Sequence, residues 1–348
     1  MTDTPTVLAN RSGHVARLSL NRPKALNALT TPMCELLTEA LLGFARDEAV
    51  RVVLLDGEGE RAFCAGGDVV MLHDSGKAGD GRAETFWRTE YALNELIHRY
   101  SKPYVSLIDG IVMGGGVGLS VHGRYRVAGD TTLFAMPETG IGYFPDVGGT
   151  YFLPRLGEGD SLAVGNWLGL TGARLGPAQC VELGIATHFV PTENHAALAR
   201  TLTTEDDVQD VLDMMHTEPP AGEPIPDAVE HFDKGSVADI MDALEHDGSD
   251  WAAQQLKLMR RKSPLALVVT LEAMRRGREM SFREVMAMEL DLSLNFLSTQ
   301  DFYEGIRAQL IDKDRNPQWS HDGVGSVTDE QVERMFRQVS EPGLTFLD

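Results

Sequence analysis

The first 190 residues alternate between short apolar runs of strand length and longer stretches with helical spacing. The strand-length runs lie at residues 16–20, 50–55, 104–108, 125–128 and 133–136. The longer stretches cover residues 32–44, which begin at a proline, and residues 84–100. In both stretches apolar side chains recur every three or four positions, which places them on one face of a helix. Regular alternation of strands and helices predicts an α/β fold.

The pattern changes near residue 190, and from there to the end the sequence is largely helical. Ser263 and Pro264, for example, form a typical helix start, a capping hydroxyl followed by a first-turn proline. A chain of 348 residues exceeds the size at which one core stops growing. We therefore expect an α/β core over residues 1–190 and a mainly helical C-terminal region over residues 191–348.

Charge and hydrophobicity exclude several classes of partner. The net charge of −21 argues against binding to nucleic acid or to an anionic membrane. No run approaches the ~20 apolar residues that a membrane helix needs. The first twenty residues do not have the pattern of a signal peptide or an organelle transit segment. The sequence therefore predicts a cytoplasmic location.

The cysteines give no framework for a metal or a disulfide. Cys34, Cys64 and Cys180 are widely spaced and form no CxxC pair, which fits reduced thiols. We expect no metal and no other cofactor. Cys64 is next to a glycine pair and could be a nucleophile, but a buried packing cysteine is the better interpretation. His122, in an apolar stretch, is likewise interpreted as a core residue.

Three glycine-rich segments each follow a predicted strand. They are residues 63–68 (FCAGGD), 113–118 (MGGGVG) and 136–149 (MPETGIGYFPDVGG). The first two lead into a helix, whose first N–H groups have no partner within the helix. Because glycine has no Cβ, a ligand can approach such N–H groups closely, and two of them converging form an oxyanion hole. Each segment taken alone could equally be a tight turn.

The common glycine-rich motifs of other enzymes do not match. No Gly-Lys-Ser or Gly-Lys-Thr ends a phosphate loop, and no Gly-x-Ser-x-Gly nucleophile elbow is present. The run at residues 114–118 lacks an acidic residue about twenty positions later on a following strand, as a dinucleotide site requires.

Together with residues 21–29 (NRPKALNAL), the three segments resemble the enoyl-CoA hydratase/isomerase, or crotonase, family. This resemblance implies a spiral of ββα units and an acyl-CoA substrate. It also implies that the N–H groups of Gly67 and Gly115 are the oxyanion donors. The N-terminal motif, with Lys24, would wrap the CoA moiety, and Ala65 and Asp68 would contact the substrate.

The resemblance is closest to a branch of the family that hydrolyses thioesters. It extends to residues 68–70, 86–91, 103–156, 301–308 and 312–317, and is weakest over about 191–250. This branch implies a short β-hydroxyacyl-CoA as substrate, above all 3-hydroxyisobutyryl-CoA of valine breakdown. It also makes Glu90, which would otherwise be read as a surface residue on a helix, part of the substrate pocket.

One departure from the hydratase pattern bears on the chemistry. Hydratases of this family carry two catalytic glutamates, and the position of the first is occupied here by Gly118. The second is retained as Glu138, and Asp146 supplies another carboxylate that could also cap a helix. Adding water to a C=C bond needs two carboxylates, whereas thioester hydrolysis needs one base or nucleophile and an oxyanion hole. The sequence therefore favours hydrolysis, with Glu138 and Asp146 as catalytic residues.

Two alternatives stay open: an enoyl-CoA hydratase or isomerase, and a non-catalytic acyl-CoA-binding member of the fold. Residues 257–278 hold seven basic side chains against one acidic. They are the best candidates for meeting the CoA phosphates, either in the same chain or from a neighbouring subunit of a homo-oligomer.

Overall fold

The computed structural model of the chain describes residues 5–157, 159 and 161–347. Its strands are β1 (Val7–Ser12), β2 (Val15–Leu20), β3 (Val52–Gly57), β4 (Ala62–Cys64), β5 (Tyr104–Ile108), β6 (Ile111–Met113), β7 (Tyr125–Ala128), β8 (Leu133–Ala135) and β9 (His188–Phe189). They form two sheets, one of six strands in the order β1-β2-β3-β5-β7-β9 and one of three in the order β4-β6-β8.

The strand pairing shows how the chain coils. β1 and β2 form an antiparallel hairpin, and every other pair in both sheets is parallel. The successive pairs β3–β4, β5–β6 and β7–β8 each place their first strand in the larger sheet and their second in the smaller one. Helices return the chain between pairs. The predicted α/β fold, a spiral of ββα units, is confirmed.

The helices of the first half are α1 (Thr31–Arg46), α2 (Val69–Ala78), α3 (Arg82–His98), α4 (Gly115–Ser120), α5 (Gly149–Phe152), α6 (Ala163–Thr171) and α7 (Pro177–Glu182). α1 follows the sequence pattern, with Pro32 in its first turn and Met33, Leu37 and Leu41 buried. α3 is largely buried. Its polar residues Glu90, Asn94 and Glu95 face the interior together with its apolar residues.

The helices of the second half are α8 (His195–Thr201), α9 (Val208–Met215), α10 (Val237–Asp247), α11 (Asp250–Met259), α12 (Pro264–Glu279), α13 (Phe282–Phe296), α14 (Gln300–Ile306) and α15 (Asp329–Met335). A short π-helix, Arg307–Ile311, follows α14. Ser263 caps α12 through a hydrogen bond to Ala266 N–H, as the sequence predicts. No helix among the described residues is both long and apolar enough to cross a bilayer.

The two halves share one large cluster of buried apolar side chains. α13 packs against α3, and α12 packs against α5 and α6. Beyond Phe189 the described residues form no further strand, so the change in secondary structure falls where the sequence pattern changes. A domain boundary at residue 190 stays a prediction.

The strands of the larger sheet match the sequence expectations closely. β5 and β7 have the predicted bounds, β2 begins one residue earlier than predicted, and β3 lies two residues later than predicted. The short strands β4 and β6 do not follow from the sequence, since three residues are too few for alternation to show. They matter because the first two glycine-rich segments follow these strands rather than the longer ones before them.

Candidate active site

The three glycine-rich segments meet because β4, β6 and β8 are neighbours in one parallel sheet. Each segment leaves the carboxyl end of its strand, and in a parallel sheet those ends lie at the same edge. A cavity of about 620 Å³ opens there and is lined by residues of all three segments. α3, the N-terminal motif and the π-helix contribute to its wall.

The loops after β4 and β6 approach each other through glycine. A Cβ placed on Gly66 would lie only 4.0 Å from the backbone nitrogen of Gly115. Gly66 and Gly114 have φ values of 121° and 47°, in the region that favours glycine. Among the described residues, neither the N–H of Gly67 nor that of Gly115 donates to a protein acceptor. Two unpartnered N–H groups beside a cavity are what an oxyanion hole requires.

The N-terminal motif docks on the first of these loops. Leu29 pairs with Gly67 through a parallel bridge, and Leu29 N–H donates to Gly66 O at 2.8 Å. The motif places Arg22, Ala25 and Ala28 on the cavity wall. The Lys24 side chain is exposed and does not line the cavity. Its contact with CoA therefore stays a prediction.

Two buried glutamates flank the glycine loops. Glu138 begins a 3-10 turn after β8, and its Oε1 would lie 3.3 Å from a Cβ on Gly114. Glu90 projects from α3, and its Oε1 would lie 2.5 Å from a Cβ on Gly115. Glu90 Oε1 and Glu138 Oε2 are buried without a hydrogen-bond partner in the described structure. Glu90 is 2% exposed and Glu138 7%, so neither is a surface residue.

Burial makes both glutamates weak acids. It raises the pKa of Glu138 well above its ordinary value; the charge on Asp146 adds to the rise, and Lys262 opposes it. Burial also raises the pKa of Glu90, again with a contribution from Asp146. Like charges this close also disfavour simultaneous ionisation of these carboxyls.

Asp146 lines the same cavity and is held by tyrosine hydroxyls. Tyr91 O–H donates to Asp146 Oδ2 at 2.7 Å, and the hydroxyl of Tyr143 lies 3.2 Å from the same oxygen. Burial raises the pKa of Asp146 to about 6, while the two hydroxyls act in the opposite direction.

The turn that carries Asp146 is strained and heavily supported. Val147 has φ 54°, a left-handed conformation that a β-branched residue rarely adopts. His122 Nε2 contacts Val147 O at 2.7 Å. Glu289 of α13 accepts from Gly148 N–H at 2.7 Å and from the Thr150 hydroxyl at 2.6 Å.

The element bounds and the burial decide between three pairs of alternative interpretations. α5 begins only at Gly149, and Gly148 is its cap, so Asp146 is not the helix cap that the sequence allowed. Burial lowers the pKa of His122 to about 3, which keeps the ring neutral as a hydrogen-bonded core residue. Burial likewise raises the pKa of Cys64 to about 12, so Cys64 is a packing residue rather than a thiolate nucleophile.

The remaining residues proposed from sequence fall on the wall of the cavity. Ala65 lies on the first loop, and its N–H donates to Leu26 O at 3.0 Å. Asp68 caps α2 by accepting from Met71 N–H at 3.2 Å, a structural role that leaves its second oxygen free. The described residues contain no cluster of three or more His, Cys, Asp or Glu side chains suited to a metal ion.

Basic side chains reach the cavity from three directions. Arg22, Arg174 and Lys262 line it. Of the basic segment 257–278, Lys262 lines the cavity. Arg275 and Arg276 form ion pairs with Glu272, and Arg260 forms one with Glu245. Burial lowers the pKa of Lys262 to about 8, and the nearby Glu138 opposes the shift.

Comparison with known sequences agrees with this geometry. The sequence profile of the enoyl-CoA hydratase/isomerase family matches residues 15–336. The chain belongs to this family. A relative from Xenopus tropicalis, named 3-hydroxyisobutyryl-CoA hydrolase, mitochondrial, is 45% identical over 97% of this chain and 90% of its own length. The human protein of the same name is 41% identical over 98% of this chain and 90% of its own length.

Solved structures confirm the fold but have titles that name other reactions. A structure titled carnitinyl-CoA dehydratase, from Mycobacterium thermoresistibile, superposes with a TM-score of 0.92 at 43% identity and covers 99% of both chains. One titled enoyl-CoA hydratase, from Rhodobacter sphaeroides, gives 0.88 at 40% identity over 98% of this chain and 100% of its own. The names of the similar proteins therefore divide between hydrolysis and the addition or removal of water.

The expected cytoplasmic location is wrong by these comparisons. The similar hydrolases from Xenopus tropicalis, Danio rerio and Homo sapiens are all named mitochondrial. The expectation relied on the lack of a recognisable targeting pattern in the first residues, which is weak evidence on location.

Several residues of the site do not stand out in the sequence. Tyr91, Tyr143, Ser293 and Glu289 support Asp146, and Lys262 is near Glu138. Tyr91 and Tyr143 lie within segments that resemble the hydrolase branch, which was the available signal. Glu289 and Ser293 lie in a helix whose residues look like an ordinary amphipathic pattern, and no motif marks them.

Proposed function

We propose that this chain hydrolyses a short β-hydroxyacyl-CoA thioester, 3-hydroxyisobutyryl-CoA, to CoA and 3-hydroxyisobutyrate. The observation that carries the proposal is the position of Glu138 beside the two backbone donors, with glycine at position 118. Glu138 flanks the loops of Gly67 and Gly115, and Gly118 stands where hydration would need a second glutamate. The similar curated proteins from vertebrates carry the name of this hydrolase.

The space around Gly118 supports this choice. A Cβ at this position would lie 2.7 Å from Val147 Cβ and 2.8 Å from Asn94 Nδ2, both closer than real contacts allow. A glutamate could not be added there without displacing Asn94 or the strained turn at Val147. The site is therefore packed for glycine, and the carboxylate that hydration would use at position 118 is absent.

The geometry suggests the following course of reaction. The thioester carbonyl oxygen accepts hydrogen bonds from the N–H groups of Gly67 and Gly115, which stabilise the charge that develops there. Glu138 either attacks the carbonyl carbon to give a mixed anhydride or takes a proton from an attacking water. When water attacks, the C–S bond breaks as Glu138 passes the proton of the water to the sulfur, and the acid and the CoA thiol leave. When Glu138 attacks, the C–S bond breaks as the anhydride forms; water then hydrolyses the anhydride, which releases the acid, restores Glu138 and supplies the proton of the CoA thiol.

The other carboxyls act on the acyl group. Asp146 accepts a hydrogen bond from the β-hydroxyl group or assists the proton transfers, and Glu90 lines the acyl pocket beside Gly115. Phe86 and Trp87 supply the apolar part of the wall. Arg22, Arg174 and Lys262 provide positive charge for a polyanionic ligand in an otherwise acidic chain.

The test is a panel of thioesters assayed for release of free thiol, with loss of the conjugated absorbance of crotonyl-CoA followed in parallel. We expect 3-hydroxyisobutyryl-CoA and 3-hydroxypropionyl-CoA to be hydrolysed far faster than isobutyryl-CoA. A site built to bond a hydroxyl can reject the analogue that lacks it by ~10⁴ or more. Equal rates for the hydroxylated and plain thioesters would contradict the role of Asp146.

The same panel separates the alternatives. Hydration of crotonyl-CoA without thiol release would assign the chain to the hydratases instead. Tight binding of an acyl-CoA that stays intact would indicate a non-catalytic member of the fold.

A further inference from the structure

The Asp146 carboxylate lies at the end of a buried hydroxyl network that reaches into the C-terminal half. The network comprises three hydroxyls. Tyr91 lies on α3, Tyr143 lies in the loop that carries Asp146, and Ser293 lies on α13. Tyr91 is fully buried and does not line the cavity, and Ser293 is equally inaccessible. Neither residue can touch a substrate, so any effect on the reaction passes through Asp146.

The distances assign the direction of each hydrogen bond. Each hydroxyl has one proton to donate. Ser293 Oγ lies 2.6 Å from the backbone oxygen of Glu289, which can only accept, so the Ser293 proton is committed there. Tyr143 lies 2.6 Å from Ser293 Oγ but 3.2 Å from Asp146, so it donates to the serine.

Tyr91 is then the principal donor to the carboxylate. Its hydroxyl lies 2.7 Å from Asp146 Oδ2 and 2.8 Å from Ser293 Oγ. Burial raises the pKa of Tyr91 well above its ordinary value, so the hydroxyl keeps its proton. The bond fixes Oδ2 of Asp146, whereas Oδ1 accepts no hydrogen bond from a described residue, and Asp146 lines the cavity.

We propose that Tyr91 is a positioning residue that holds Asp146 with Oδ1 toward the acyl group and keeps the carboxylate ionised. This role rests on the proposed function, in which ionised Asp146 accepts from the β-hydroxyl group or from a transferred proton. Ser293 directs the network by drawing the Tyr143 proton away from Asp146. One helix from each half of the chain thus sets the state of one cavity carboxylate.

The site offers many groups that titrate near Asp146. The ionisable groups facing it are Glu90, Tyr91, Glu138, Tyr143 and Glu289, with Lys262 as the cation nearest Glu138. A change in pH dependence must therefore be traced to Asp146 by substitution. Asp146→Asn removes its titration and serves as the reference.

The first test is the pH profile of kcat/KM for Tyr91→Phe, which removes the hydroxyl and keeps the ring. Loss of a hydrogen bond to a carboxylate disfavours the ionised form, so the acid limb should move to higher pH by about one unit. At pH 6 kcat/KM should fall about fivefold, and at pH 5 about ninefold, whereas at pH 9 it should stay within about twofold of wild type.

Two comparison variants separate positioning from packing. Ser293→Ala frees the Tyr143 proton to turn to Asp146, so its acid limb should not move upward. Tyr100→Phe also removes one hydroxyl hydrogen bond, from Tyr100 O–H to Leu41 O at 2.7 Å, but away from the cavity. Its pH profile should match that of wild type. Circular dichroism and thermal melting show whether each variant is folded.

The role of Tyr91 would be overturned if the acid limb of Tyr91→Phe coincided with that of wild type. It would also be overturned if Tyr91→Phe and Ser293→Ala moved the acid limb equally, as a loss of packing would.

Carboxyl-carbon NMR of ¹³C-labelled aspartate, assigned with Asp146→Asn, measures the ionisation of Asp146 without turnover. If wild type failed to hydrolyse the thioesters, the proposed function would fall, while the NMR shift on Tyr91→Phe would still test the hydrogen bond.

Discussion

The two sides of the cavity are built by different means. On one side, the backbone N–H groups of Gly67 and Gly115 lie on adjacent loops after β4 and β6, and glycine alone creates the space around them. On the other side, Glu138 and Asp146 project as buried carboxyls. Asp146 depends on side chains from α3 and α13, which are far apart in the chain.

The difference shows where the energetic cost of the site lies. Backbone donors at a loop need no counter-charge, because the N–H groups are neutral dipoles. Buried carboxyls are costly to ionise, and each needs hydroxyl or N–H donors to remain charged. The carboxyl side therefore requires a supporting network, while the glycine side requires only that no side chain be added.

The largest expected effect tests the carboxyl side directly. Glu138→Gln keeps the shape of the side chain but removes both the nucleophile and the base. Release of thiol at saturating substrate should fall by at least ~10²–10⁴, the usual contribution of a positioned acid–base group. A variant that kept more than about a tenth of wild-type turnover, well short of that loss, would show that the reaction does not depend on Glu138.

The next effect tests the glycine side. In Gly115→Ala the added Cβ would lie 2.5 Å from Glu90 Oε1 and 2.9 Å from Leu29 Cδ1, so the loop or its neighbours must move. Displacing one oxyanion donor should lower kcat by about 10²–10³. The measurement is kcat for thioester hydrolysis, together with thermal melting.

Gly43→Ala is the matched control for this change. Gly43 lies in α1, and a Cβ there would meet nothing within 4 Å. Activity should be unchanged and the helix stabilised by roughly 0.5–1 kcal/mol. Full activity in Gly115→Ala would place the oxyanion donor elsewhere.

The smallest expected effect concerns the support of the carboxyl side. Burial raises the pKa of Glu289 to about 8 from an ordinary 4.5, although Thr150 and Gly148 donate to it. The native state thus holds this proton more tightly than the unfolded state. The stability that it contributes is complete below pH 4.5 and is lost as the pH rises toward 8.

Glu289→Gln removes this titration. The difference in unfolding free energy between wild type and variant should become less favourable to wild type as the pH rises from 5 to 8. Urea unfolding at a series of pH values measures it. A constant difference across the series would mean that Glu289 does not take up a proton in the native state.

The sequence was informative where chemistry is local. The glycine-rich loops, Glu138 and Asp146 follow from short motifs, because glycine and the residues beside it must be contiguous to form such a loop. The strands β2, β5 and β7 follow from alternation or from continuous apolar runs. The fold follows from the order of strands and helices together with the resemblance to the family.

The remaining parts depend on contacts between distant residues. β4 and β6 are too short to be recognised by pattern, yet they bring the loops to one edge. Glu289 and Ser293 are separated from Asp146 by more than 140 residues and have no motif of their own. The location was mispredicted because it depends on targeting, which the physics of the folded chain does not determine.

The hydrogen bonds from α13 to the Asp146 turn limit how this site can be transplanted. A chimera that took residues 1–190 from this chain and its remaining helices from another member of the family would carry Asp146, Tyr91 and Tyr143. It would lack Ser293 and Glu289 unless the donor helix supplied equivalent groups at the same depth. Engineering of this active site must therefore treat α13 as part of the catalytic module, and exchange it together with the spiral.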